Sequence, residues 1–119
     1  MYHDFKWSPS EKKVARKAFD VALDAALGKV MAEFKRRAAA VTSPSEMWDV
    51  EGYLRAQRQE IDEVFDYRYS QLFLVFPRLI CEGYLEESLL DGLSEEKREL
   101  IRSSVEHAAK HDARDRLGE

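Results

Sequence analysis

At 119 residues, with 45% apolar and 35% charged side chains and only five glycines and three prolines, the chain suits one folded domain rather than a disordered or loop-rich protein. A net charge of −4 argues against nucleic-acid binding as the main task, which needs clustered cations. One cysteine, no secretion-signal layout and no apolar run near the roughly 20 residues of a membrane span lead us to expect a soluble, cytoplasmic protein.

The tetrapeptide SPSE occurs twice, at Ser8–Glu11 and Ser43–Glu46. Each copy offers a serine cap, a proline at the first helical position and a glutamate able to reach back to the cap, so each predicts a helix start. The first helix should run from Pro9 to about Ala40. Ala15, Phe19, Ala22, Ala26, Val30 and Phe34 form its apolar stripe, and Lys35–Arg37 complement the dipole at its end. Such a rod overhangs any core that so short a chain can build. Charge is also uneven: residues 1–41 carry 9 Lys/Arg against 5 Asp/Glu, and the rest carries 10 against 18.

The second helix should span Pro44 to about Val64. Met47, Val50, Leu54, Gln57, Ile61 and Val64 make a heptad-like seam for a neighbouring helix, in this chain or another. Trp48, Gly52 and Arg55 share a different face, flanked by Tyr53 and Arg58. Aromatic, glycine and arginine together suit a protein–protein contact, although a tryptophan lying across the first helix fits the spacing equally well. Gly52 costs about 1 kcal/mol against alanine in mid-helix, which makes sense where a second backbone or a bulky side chain comes close.

Asp66 is expected to cap a third helix of about 17 residues ending at Gly83. Tyr69, Leu72, Phe73, Phe76, Leu79 and Ile80 keep helical spacing while Leu74 and Val75 fill the other side, so this helix should be covered all round. Pro77 should kink it or free the carbonyl of Phe73, and Cys81 reads as a small buried residue. A short turn around Glu86–Leu90 should lead to a last helix opened by Ser94–Lys97, with Leu100, Ile101, Val105 and Ala108 inside. Beyond it the polar tail from His107 should fray. The expected fold is all-α: a long N-terminal helix, a second long helix and a C-terminal helical hairpin. It forms a single domain over 1–119, with flexible ends at 1–8 and about 110–119.

Catalytic signatures are sparse. His107 and His111, four apart with Asp112 and Asp115 nearby, have a spacing that can hold a metal, but a solvated tail is the plainer reading. Glu60, Asp62 and Glu63 read as a helix surface. Phosphate loop, nucleophile elbow and Cys–His arrangement are all missing, so neither an enzyme nor a cofactor or metal site is expected.

The stretch MWDVEGYLRAQRQEIDEVFDYRYSQLFLVFPRLICEGYL, followed by LDGLSEEKRELI, resembles the fluorescence recovery protein family of photoprotection regulators, over Met47 to Ile101. The resemblance implies a cofactor-free helical homodimer that binds the orange carotenoid protein and hastens its return from the red to the orange form. A dimeric adaptor for a different, non-carotenoid client is the other expectation. Trp48 and Arg58 match family positions in the dimer and partner region, so Trp48, Glu51, Gly52, Tyr53, Leu54, Arg55, Arg58 and Ile61 are the candidate interface. Glu51-Gly52 stands where the family has a His-Asp pair. Leu74 and Leu100, at family positions held by phenylalanine and lysine, form a secondary candidate surface.

Overall fold

The computed structural model describes residues 6–117, and side chains as far as His111. Helix α1 spans Pro9–Ala39, α2 Pro44–Val64, α3 Leu72–Cys81 and α4 Glu95–Leu117, with a 3₁₀ turn at Glu87–Leu90; the described residues contain no strand. Both SPSE copies begin helices as expected. At α1 the capping box is complete: Glu11 N–H donates to Ser8 Oγ (3.1 Å) and Ser8 N–H to Glu11 Oε1 (3.0 Å). At α2 Ser43 Oγ accepts from Glu46 N–H, but the Glu46 carboxylate reaches past the cap to Thr42 N–H (2.9 Å).

α2 returns antiparallel along α1 after a short turn, forming a helical hairpin. The expected third helix is shorter than its apolar run. It starts at Leu72, and Asp66 binds Arg68 (2.8 Å) instead of capping a helix. Residues 65–71 are non-helical because their aromatic residues alternate. Phe65 and Tyr67 meet Phe19 edge-on at 5.4 and 4.9 Å, and Tyr69 meets Trp7 at 5.5 Å. That two-residue period belongs to extended backbone. α3 runs through buried Pro77 to Cys81, which is exposed rather than buried because the helix turns it outward. Gly83, at φ +83°, ends α3 as expected: Tyr84 N–H donates to Leu79 O and Gly83 N–H to Ile80 O, the pairing of a Schellman motif.

The core gathers Ala15, Ala18, Phe19 and Ala22 of α1 with Leu72, Phe73, Phe76 and Leu79 of α3, Leu85, Leu90, Leu93 and Ile101. Trp7 belongs to this assembly, 5.4 Å from Phe73 between ring centroids, so the chain is already anchored just ahead of α1. The tail expected to fray from His107 keeps helical geometry to Leu117.

A buried ion pair locks α1 to α4. Glu11 accepts from Ser94 N–H (3.0 Å) and from Lys97 Nζ (3.1 and 3.2 Å), while Ser94 Oγ caps α4 through Lys97 N–H. Burial alone pushes the Glu11 carboxyl up, but the Ser8 and Ser94 amides and the Lys97 ammonium outweigh it and hold the group below its ordinary range. One carboxylate therefore serves two helix starts and neutralises a buried lysine. Nearby, a Cβ on Gly92 would lie 2.6 Å from Val14 Cγ2, so the loop before α4 can approach α1 this closely only with glycine.

Candidate functional site: the open face of the α1–α2 hairpin

Burial stops abruptly along the hairpin. The last buried residue of α1 is Ala26, the one buried residue of α2 is Val64, and residues 27–63 between them contain none. Val30 and Phe34, expected inside, are half-buried. The Met47–Val64 seam faces α1 but is closed by it only at Val64.

The consequences are measurable. The radius of gyration is 17.4 Å, against about 13.5 Å for a compact chain of this length. The accessible surface is 8472 Å², roughly 1,800 Å² more than the ~6,600 Å² of a compact monomer of 13.8 kDa. Among the described residues, the large exposed hydrophobics are Val21, Leu27, Met31, Met47, Trp48 and Leu74, and all but Leu74 lie on α1 or α2.

Two apolar grooves run end to end along one side of the hairpin and meet at Leu54. The first, of about 500 Å³, lies between Leu23, Leu27 and Val30 of α1 and Leu54, Arg58 and Ile61 of α2. The second, of about 340 Å³, lies between Phe34, Ala38 and Val41 and Met47, Val50 and Leu54. Charged residues stand only at the margins: Glu51 pairs with Arg55 one turn on, whereas among the described residues no ion pair engages Arg58 at the groove edge.

The opposite side of the hairpin is polar. Glu33 binds Arg36 and Arg37 (2.7 Å to Arg37 Nε), and these two guanidiniums hold its carboxyl at about 2. Arg37 then stacks on Tyr53, with its Cζ 4.1 Å from the ring centroid. This charge-assisted lattice clamps α1 to α2 on the side away from the grooves. A carboxyl so strongly stabilised as an anion keeps the lattice intact across neutral and mildly acidic pH.

The sequence-derived site residues separate in the structure. Leu54 and Ile61 line the grooves with Arg58 and Glu51 at their edges, while Trp48 is 62% exposed on a neighbouring face and does not lie across α1. Tyr53 turns to the polar side under Arg37. Gly52 is exposed, and an added Cβ would meet nothing within 4 Å, so no group of this chain requires glycine there. Leu74 is 59% exposed, the one large hydrophobic of α3 left uncovered, whereas Leu100 packs partly buried against the core. Sequence reading missed Leu23, Leu27 and Met31. A second α1 stripe, Leu23–Leu27–Val30–Phe34 at three- and four-residue steps, was the available signal. Among the described residues no group of side chains is arranged to hold a metal ion. No described helix is long and apolar enough to cross a membrane.

The family model for the photoprotection regulator fluorescence recovery protein matches residues 7–105, nearly the whole of this fold. The chain belongs to the fluorescence recovery protein family. It is 30% identical over 97 residues to the fluorescence recovery protein of Synechocystis sp. (strain ATCC 27184 / PCC 6803 / Kazusa), across 82% of this chain and 89% of that relative. The solved structure of the Fremyella diplosiphon fluorescence recovery protein aligns with a TM-score of 0.77 at 33% identity, over 83% of this chain and 97% of its own. That of the Synechocystis sp PCC 6803 fluorescence recovery protein gives 0.79 at 29% identity, over 85% and 99%. The match includes α1 and both grooves, well beyond the stretch whose residues first suggested the family. It stops at Val105, so the polar end of α4 lies outside it.

Proposed function

We propose that this family member is a non-enzymatic regulator that works as a homodimer. It binds the orange carotenoid protein and hastens return of its red form to the orange one, ending photoprotective quenching. The observation that carries the dimer is the uncovered groove face from Leu23 to Ile61, on a monomer whose surface exceeds the compact value by roughly 1,800 Å². Covering such an area on each copy falls in the range of obligate dimers. Leu54, where the grooves meet, lies at the centre of the contact, and Arg58 at the edge offers an unpaired guanidinium to a carboxylate across it.

The family's role as a photoprotection regulator supports this choice of partner. A helical regulator without a reactive group acts on a client only through differential affinity. Preference for the orange form shifts the equilibrium, and faster return requires that the conformer at the barrier be bound more tightly than the red form. Trp48, exposed beside the grooves on a rigid helix, is the aromatic anchor suited to that contact.

Mixing the protein with photoactivated orange carotenoid protein and following the visible spectrum in darkness tests the client: recovery should accelerate in proportion to added protein. An unchanged rate from an intact dimer rejects the carotenoid client and favours an adaptor for another protein. For the dimer, sedimentation equilibrium should return twice the 13.8 kDa chain mass, and Leu54→Glu should return a single chain with its helicity retained. A wild-type protein that sediments as one chain at micromolar concentration refutes it.

A further inference from the structure

The first turns of α1 carry charges that local stability does not explain. Lys12, Lys13, Arg16 and Lys17 are all exposed and crowd one face within two turns. Lys12–Arg16 and Lys13–Lys17 are like-charge pairs at i,i+4, which destabilise a helix, and they stand close behind the positive end of its dipole. Among the described residues the only ion pair in the quartet is Arg16 Nε with Asp20 Oδ2, at 3.3 Å. Elsewhere in this net-acidic chain, arginines meet carboxylates repeatedly: Arg36 and Arg37 with Glu33, Arg55 with Glu51, Arg78 with Glu82, Arg102 with Glu87.

The quartet is also partly pre-set. Arg16 Cζ lies 4.7 Å from the Tyr67 ring centroid and Lys12 Nζ 5.3 Å from that of Tyr69, and Tyr67 Oη donates to Lys12 O at 3.4 Å. The non-helical 65–69 segment thus forms an aromatic floor on which two of the four cations rest. Holding a long cation in place beforehand removes part of the entropy cost of a later contact.

We infer that Lys12, Lys13, Arg16 and Lys17, on their Tyr67–Tyr69 floor, form a docking surface for an acidic face of a protein partner. The surface is separate from the apolar grooves, and it deepens the proposed function by giving the client a chemical character, resting on the reading that a protein client exists. A membrane is disfavoured because exposed positions 12, 13, 16 and 17 present no apolar side chain to bury in a bilayer, and the neighbouring tyrosines are tied to Phe19 and Trp7. Duplex DNA is disfavoured because four cations, one already shared with Asp20, sit on a chain of net charge −4.

The double variant Lys13→Glu/Lys17→Glu tests the surface, since neither side chain holds the fold and acidic residues near a helix start are tolerated. Binding of a labelled deca-glutamate peptide and of photoactivated carotenoid protein would be measured by fluorescence anisotropy. Wild type should bind both, more weakly as salt rises from about 50 to 500 mM, and the variant should lose about ten-fold in affinity with its salt dependence flattened. Melting temperature should not fall, since acidic residues suit a helix start, and sedimentation mass should not change. Equal affinities of variant and wild type for the peptide overturn the surface, as does failure of wild type to bind the peptide. Tighter binding to phosphatidylglycerol vesicles or duplex DNA than to the peptide also overturns it. Peptide binding without carotenoid-protein binding upholds the surface and removes only the client. Undiminished carotenoid-protein binding by the variant leaves the client and removes the surface.

Discussion

The molecule has two halves built from similar helices and treated differently by water. The head, made from the first half of α1 with α3, the 3₁₀ turn and the start of α4, hides Phe73, Phe76, Leu72, Leu79, Leu90 and Ile101 almost completely. The arm, residues 27–63, has half-buried side chains such as Val30 and Phe34 but none fully buried. Both halves carry apolar stripes at helical spacing, so the difference lies in the neighbours: α1 packs among several elements in the head, whereas in the arm its main neighbour is α2, with Tyr84 touching it at Lys29. Two helices in contact each cover one stripe of the other and leave the rest of their apolar surface wet. The head owes its stability to its own packing. The arm's apolar surface is an unspent driving force, available to another polypeptide.

That contrast can be broken most forcefully at Phe76, which has no exposed surface. Phe76→Ala should cost about 4 kcal/mol in urea titration, a large share of the stability of a small domain. Truncation of the solvated Trp48 should move the same curve by less than about 0.5 kcal/mol while weakening client binding.

Next in size is the ion pair inside the head. Glu11→Gln leaves Lys97 buried without its counter-charge and should cost about 3 kcal/mol at neutral pH. Because Glu11 is held below the ordinary carboxylate range, its contribution is fully present above that range and disappears as pH falls through the depressed value. The gap between wild type and Glu11→Gln, followed by thermal melts from neutral to strongly acidic pH, should therefore close on acidification. A gap constant with pH would deny the carboxylate its charge-dependent role.

Two glycines give the smallest and sharpest test. Gly92→Ala drives a methyl to 2.6 Å from Val14 Cγ2, and a stiff valine on a packed helix yields little, so a loss of about 1–3 kcal/mol is expected. Gly52→Ala, with open space around it, should raise the melting temperature through a gain of about 0.5–1 kcal/mol in helix propensity. If a second chain lies against that backbone, the same substitution will lower dimer affinity while stabilising the helix.

Helix starts were legible in the sequence because capping is local: a serine, a proline and a glutamate within four residues complete the motif at α1, and Gly83 marks the end of α3 by the same kind of local necessity. The start of α3 was not, because Leu72–Phe76 is apolar enough to hide the alternation of Phe65, Tyr67 and Tyr69 just before it. Exposure of Leu74 and Cys81 was illegible for a related reason, since apolar character says that cover is favourable without saying who supplies it. The grooves were half-visible: the α2 seam was plain, but its α1 counterpart was hidden behind a neighbouring stripe of small alanines. The Glu11–Lys97 pairing had no signature at all, joining residues far apart in sequence whose separate roles as cap and surface charge already accounted for them.

That pairing also orders events during synthesis. A carboxylate near the amino end that waits for Ser94 and Lys97 cannot be satisfied until most of the chain has left the ribosome, so Ala15, Phe19 and Ala22 travel uncovered through most of translation. The α1–α2 hairpin, local in its contacts, can close during that interval. A nascent chain will thus display the groove face before its own interior exists.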